Sequence, residues 1–264
     1  MADIRHAFIT FLQIKKISFI GGDRRVEERI LEMSKKVAIV LAAGRGKRMQ
    51  SDVAKQYLLV KEKPVLYYAL KAFEESIMDE IILVTAESEI SYCKEEIVDK
   101  YGFEKVSKIV AGGKERYHSV HNGLKACADA EYVFIHDGAR PFVDAGIIER
   151  NLAAVCEYGA CVTGMPVKDT IKISDETGFV KETPRRDAVW AIQTPQTFRY
   201  DLIKKAYDTF LKDEEVNCKK YSVTDDSMVA ELFGGLKVKL VEGSYNNVKI
   251  TTPEDMLLAE TILG

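Results

Sequence analysis

Directly after the apolar run KVAIVL, the chain places Gly44 and Gly46 among Arg45, Lys47 and Arg48, and adds Lys55 shortly downstream. Glycines at the end of a strand let the backbone approach a ligand closely, and successive N–H groups can cradle phosphate oxygens. The neighbouring cations would supply point charges for a polyphosphate. Two familiar phosphate-loop patterns do not fit. The Walker pattern needs four residues between its glycines, and here only Arg45 separates them. The dinucleotide fingerprint needs a third glycine where Met49 stands, and an acid at the next strand end. An ordinary strand-to-helix turn with a solvated basic face would carry the same residues, so the stretch alone leaves both readings open.

The elements around this loop alternate in type. KVAIVL, DEIILVT, KVSKIVA, EYVFIHD, ACVTGMPV and KVKLVEG read as short buried strands rich in β-branched residues. Between them lie helical patterns: PVLYYALKAFEES, with Pro64 at a helix start, ERYHSVHNGLKACAD and DAGIIERNLAAVCEY. Alternating strands and helices imply an α/β fold with a Rossmann-like, mainly parallel sheet flanked by helices, and ligands at the carboxyl ends of the strands. Residues 169–193 break the rhythm, with two strand-like runs around a DETG turn. They predict a protruding β-hairpin arm, spanning about 168–193, that packs on a second copy of the chain. Residues 1–34 differ in pattern and read as an N-terminal extension to a domain covering 35–264, with Met33 a plausible natural start.

Composition narrows the function classes. The 264 residues are 47% hydrophobic and 30% charged, with a net charge of −3. That balance argues against a general nucleic-acid binder, so any anion site is local. Cys93, Cys127, Cys156, Cys161 and Cys218 are dispersed, as expected of free thiols in a reducing compartment. No apolar run approaches a membrane span, and AFITFL lacks the flanks of a signal peptide, which makes the cytoplasm the expected location.

With these elements in place, LAAGRGKRM…KQY resembles the signature of nucleotidyltransferases that join an NTP to a phosphorylated small molecule. The resemblance is to the 2-C-methyl-D-erythritol 4-phosphate cytidylyltransferases of non-mevalonate isoprenoid synthesis. GGKERYHSV, HDGARPF, PVKDTIK, PRR…W…QTPQTF, VTDDS and NNVKITTPED follow in order from about Lys36 to the C-terminus. The implied reaction is attack by a substrate phosphate oxygen on the α-phosphorus of CTP. Two anions must meet, so cations and a metal matter more than a general base.

By that resemblance Arg48, Lys55 and Lys249 are the catalytic cations. Ala42, Ala43, Gly44, Gly46, Gly112, Gly113, Arg116 and Ser119 bind the nucleotide, with Arg116 bracing the base-reading loop. Asp137, at a strand end, holds Mg²⁺ against the triphosphate. Arg140 orients the second substrate or the same acid. Thr170 and Arg186 reach that polyol phosphate from a partner's arm, in a homodimer. Asp225 and Asp226 begin a helix, where capping is slightly favoured over support of the substrate loop. His118 and His121 have no third ligand at sensible spacing and read as helix surface, and Trp190 as packing at the arm's root. Two departures stand out: Asn246 where the family often has an acid, and Gly138 where Ala is common and little effect is expected. Three competing readings are a ribitol 5-phosphate cytidylyltransferase, a nucleotide sensor without turnover, and a sugar-1-phosphate nucleotidylyltransferase.

Overall fold

The computed structural model describes residues 34–44, 53–127, 129–217 and 222–263. Arg45, Gly46, Lys47, Arg48, Met49, Cys218 and residues 1–33 of the expected extension, including Met33, lie outside the described residues.

Strand β1 (Lys36–Leu41) lies in the interior of a seven-stranded sheet. It pairs in parallel with β4 (Glu80–Thr85), from Val37↔Glu80 to Leu41↔Val84, and with β6 (Tyr132–Asp137), from Lys36↔Tyr132 to Leu41↔Asp137. Beyond β4 lies β5 (Val106–Ala111). Beyond β6 come β10 (Trp190–Arg199), β7 (Ala160–Pro166) and β11 (Lys239–Glu242). Only β10 runs against the rest. Two short strands, β2 (Leu59–Val60) and β3 (Lys63–Pro64), form a separate hairpin.

All six strand segments read from the sequence are present. The short β2–β3 hairpin was not read, and in the main sheet the strand that sequence reasoning missed is β10. Its ten residues, WAIQTPQTFR, include Pro195, which lacks the N–H a ladder needs. The register shifts between Ile192 and Gln196, so the ladder to β7 is interrupted around the proline, and the apolar signal is broken with it.

The alternation along β1 divides the core into two layers. Ala38 and Val40 face α1 (Val65–Glu74) and α3 (Ala145–Tyr158), packing with Leu66, Leu70, Phe73, Ile147 and Leu152. Val37 and Ile39 face the opposite layer, α2 (Arg116–Ala126), α4 (Tyr200–Asn217) and α5 (Asp226–Gly234), through Val120, Leu124, Tyr207, Phe210 and Val229. Each such side chain contributes about 1.5–3 kcal/mol when fully buried. With both faces covered, the exposed sheet edge at the strands' carboxyl ends is what remains for ligands.

The helices begin where the sequence provides caps. Pro64 precedes α1, and the Asp144 carboxylate accepts from Ile147 N at 2.7 Å ahead of α3. The last helix, α6 (Pro253–Ile262), starts with a Thr252–Asp255 capping box and Pro253 in its first turn. Ala259 of α6 packs with Val60, Val65 and Ile250, so the helix fixes the end of the NNVKI motif.

The arm consists of β8 (Ile173–Ser174) and β9 (Val180–Glu182), joined through the DETG turn. The Asp175 carboxylate accepts from the Thr177 and Phe179 N–H groups, and Gly178 takes φ +89°. From Trp190 onward the return run belongs to the main sheet, opposite Pro166.

Candidate active site

β1 and β6 are adjacent, yet the chain leaves β1 toward β4 and returns to β6 on the other side. Ligand crevices in open α/β sheets form at such a switch point. Here two clefts meet there. The larger, about 530 Å³, is lined by Ala42, Ala43, Gly44, Lys55, Gly112 and Gly113, among others. The smaller, about 310 Å³, is lined by Arg140, Gln193, Thr194 and Asp225, among others. Arg116, Asp137 and Lys249 line both.

Asp137 sits opposite Leu41 at the end of β6 and is 8% exposed. Lys249 Nζ donates to its Oδ2 at 2.6 Å, and Arg116 Nε to its Oδ1 at 3.3 Å. Burial alone would raise the carboxyl's pKa, but the two cations hold it well below the usual carboxylate range. It is therefore ionised at the junction of the clefts. Arg116 is itself fixed from behind, since its two terminal nitrogens donate to the two oxygens of Asp226 at 2.8 Å each. Asp226 is fully buried and also accepts from Tyr207 Oη at 2.6 Å. Its own N–H, with that of Ser227, donates to Gln196 Oε1 at 3.0 and 2.8 Å.

Capping and site support are thus divided between neighbours. Asp225 caps α5, accepting from Met228 N at 2.9 Å, while Asp226 anchors Arg116. Arg116 braces the site by joining Asp137 to α5 rather than by packing within its own loop.

In the Gly112–Gly113 loop the Gly113 N–H donates to Ser119 Oγ at 3.0 Å, and Gly112 N–H to the Thr85 carbonyl at 2.7 Å. A Cβ on Gly112 would lie 2.5 Å from Ala43 Cβ, so this loop and the segment that follows β1 approach as only glycine permits. Lys55 Nζ donates to the Ile250 carbonyl at 2.8 Å across the cleft mouth.

A buried chain of bonds fixes the strand end that carries Asp137. The Asp137 N–H donates to Thr194 Oγ1 at 3.1 Å, and that hydroxyl bonds His136 Nδ1 at 3.0 Å. His136 Nε2 faces the Arg140 carbonyl at 3.1 Å; a carbonyl only accepts, so Nε2 carries the hydrogen. Burial keeps this histidine neutral, with its pKa pushed down to about 4. Arg140 donates to the Asn247 carbonyl at 2.7 Å. Asn247, fully buried, donates in turn to the Thr194 carbonyl at 2.9 Å.

Ala42, Ala43, Gly44, Lys55, Gly112, Gly113, Arg116, Ser119, Asp137 and Lys249 are thus gathered around one cleft, and Arg140 joins them through the second. Gly46 and Arg48 lie outside the described residues. Thr170 and Arg186 line neither cleft of this chain; both are exposed on the arm, where Arg186 donates to the Lys168 carbonyl at 3.3 Å. His136, Thr194, Gln196 and Asn247 are the supporting residues that sequence reasoning passed over, although each stands inside a quoted motif. His118 and His121 pair with Glu214 and Asp208 of α4, at 3.3 and 3.0 Å. Asn246 is exposed in a turn and lines neither cleft. At Gly138 an added methyl would lie 2.9 Å from Leu66 Cδ1, the end of a flexible side chain, and 3.0 Å from the Leu41 carbonyl.

The family model for 2-C-methyl-D-erythritol 4-phosphate cytidylyltransferase matches residues 36–264. The chain belongs to this family. A 2-C-methyl-D-erythritol 4-phosphate cytidylyltransferase of Lachnoclostridium phytofermentans is 50% identical over 231 residues, covering 88% of this chain and 97% of its own. One of Clostridium botulinum (strain 657) is 52% identical over 234 residues, covering 88% and 98%. Among solved structures, the 4-diphosphocytidyl-2C-methyl-D-erythritol synthase of Anaerococcus prevotii superposes with a TM-score of 0.77 at 36% identity, covering 89% of this chain and 98% of that one. As a member of this family the protein is an enzyme, a nucleotidyltransferase with a Rossmann-like mixed sheet. Among the described residues no helix is long and apolar enough to cross a membrane.

Proposed function

We propose that this chain transfers CMP from CTP to 2-C-methyl-D-erythritol 4-phosphate. The products are pyrophosphate and 4-diphosphocytidyl-2-C-methyl-D-erythritol, an isoprenoid precursor. The observation that carries the reading is the junction at Asp137, where two clefts share an ionised carboxylate and two cations within a chain of this family. The larger cleft takes CTP, with its base toward Gly112, Gly113 and Ser119 and its phosphates toward Ala42, Ala43, Gly44 and Gly46. The smaller takes the polyol phosphate beside Arg140.

A phosphate oxygen of the polyol attacks the α-phosphorus as the bond from that phosphorus to the bridging oxygen breaks. Pyrophosphate leaves with the electron pair. Negative charge grows on the non-bridging oxygens, and Arg48, Lys55 and Lys249 stabilise it. Lys249 reaches the reacting phosphate from its position on Asp137, and Arg116, locked to Asp226, keeps that carboxylate aimed at the junction.

The donor set suits Mg²⁺. Among the described residues no three His, Cys, Asp or Glu side chains cluster, which disfavours an all-protein cage. A single ionised carboxylate supplemented by triphosphate oxygens and water matches this ion's habit. Asp137 is the residue that would hold it, and the ion would neutralise charge on the triphosphate. The polyol half of the site is completed by Thr170 and Arg186 of a second copy's arm, so the working unit is a homodimer.

The test is pyrophosphate release by purified protein with CTP and Mg²⁺, offering methylerythritol 4-phosphate and ribitol 5-phosphate in parallel. Preference for methylerythritol 4-phosphate is expected. Preference for ribitol 5-phosphate, or no release with either, would overturn the assignment.

A further inference from the structure

Lys55 belongs to a single 3-10 turn, Lys55–Tyr57, in which the Tyr57 N–H donates to the Ala54 carbonyl at 2.9 Å and the Leu58 N–H to the Lys55 carbonyl at 3.3 Å. Its flanking residues Ala54 and Leu58 are extended, and no side-chain cap closes it. Bonding of the i→i+3 kind is weak in such short runs. Further rigidity comes from side chains.

Gln56 and Tyr57 supply it. Gln56 is 2% exposed, and its Nε2 donates to the Ala42 carbonyl at 2.5 Å, tying the turn to the strand end that opens the phosphate loop. Tyr57 is 8% exposed and points the other way. Its hydroxyl lies 2.9 Å from Thr85 Oγ1, 2.9 Å from Glu89 Oε2 and 3.1 Å from Cys93 Sγ. The carboxylate only accepts, so Tyr57 donates to Glu89, and Thr85 Oγ1 donates to the same oxygen at 3.3 Å. Burial raises the phenol's pKa far above its ordinary value, so the hydroxyl stays protonated and keeps this donor. A largely buried network of this kind is rigid, because each bond restricts the groups that make the others.

The partners themselves belong to the site. Ala42 N–H donates to the Val84 carbonyl at 2.6 Å, and the Thr85 carbonyl accepts from Gly112 at 2.7 Å. The turn is therefore bonded to the phosphate-loop strand through Gln56 and to the strand that holds the base-side loop through Tyr57. On its open side, Lys55 reaches the Ile250 carbonyl, one residue after Lys249.

We propose that Gln56 and Tyr57 are positioning residues for the Lys55 cation, transmitting the placement of the β1 and β4 strand ends to the group that stabilises the transition state. The proposal rests on the catalytic role assigned to Lys55. Neither residue needs to touch substrate; each acts by narrowing where the ammonium can be. Loss of the Tyr57 hydroxyl then weakens transition-state contact more than ground-state binding, so the effect falls on kcat rather than on KM for CTP.

The test is a double-mutant cycle with Tyr57→Phe and Lys55→Ala, measuring kcat, KM for CTP and Tm for all four proteins. Tyr57→Phe removes one oxygen and is expected to lower kcat about tenfold, with KM for CTP changed less than about twofold. On the Lys55→Ala background the same change is expected to have almost no effect, because the group it positions is gone. Equal losses of kcat on both backgrounds, or no loss on either, would overturn the proposal. Normal turnover by folded Lys55→Ala would instead remove the catalytic role of Lys55 on which it depends. Thr85→Val deletes the strand-side hydroxyl and repeats the cycle should Tyr57→Phe fail to fold.

Discussion

Two of the arginine–aspartate pairs, one at the cleft junction and one on the arm, are built in opposite ways. At the cleft junction, Arg116 is bidentate to Asp226, whose side chain is fully buried and also bonded to Tyr207. On the arm, Arg185 pairs with Asp187, and both side chains stand mostly in solvent, 83% and 66% exposed. The first pair is held by a sheet, two helices and Gln196. The second has only its own turn. The contrast separates two kinds of construction: the cleft junction is wired into the core, whereas the arm leaves Thr170, Arg186, Phe179 and Val180 exposed, as the proposed role in a second copy's site requires.

Removing one member of each pair should separate the regions most widely. Asp226→Ala strands Arg116 with Asp137 as its remaining anchor and leaves the Tyr207 hydroxyl without its acceptor. The expected cost is roughly 3 kcal/mol, a fall in Tm of on the order of 10 °C by calorimetry. A Tm within 2 °C of the parent would mean that the buried pair is not structural.

The arm should respond in substrate binding instead. Arg186→Ala is expected to raise KM for the polyol phosphate about tenfold, leaving KM for CTP and Tm nearly unchanged. An unchanged KM for the polyol phosphate would detach the arm from the site. The smallest effect belongs to Asp187→Ala, which breaks an exposed pair screened by water and salt. Its Tm should stay within about 2 °C of the parent.

The same contrast explains what the sequence made legible. The strands around the cleft are continuous apolar runs because helices cover both faces of the sheet, and continuous runs are easy to read. β10 was hidden because Pro195 and two glutamines interrupt it. Those glutamines do not behave as loop residues: Gln196 is 1% exposed and binds the first two N–H groups of α5. Glycines, cations and the strand-end acid could be found because the chemistry demands those types at those places. Asp226 was harder, since a carboxylate at a helix start has an ordinary use as a cap, and only the fold shows that Asp225 serves that purpose. His136 and Asn247 carry no legible signal of their own, because each bonds Thr194, which the fold brings in from a distant segment.

The central claim is that one chain supplies the nucleotide cleft and its catalytic cations while a second supplies the polyol contacts. Mixing two inactive variants tests it directly. Lys55→Ala and Arg186→Ala proteins, each assayed alone at polyol phosphate far below KM, are expected to turn over poorly. After unfolding and refolding together, mixed dimers contain one site with an intact cleft from one chain and an intact arm from the other. Recovery of activity well above the sum of the separate variants is the predicted result. If arm and cleft of the same chain form the site, every site in the mixture keeps a lesion, and the absence of any recovery would contradict the account.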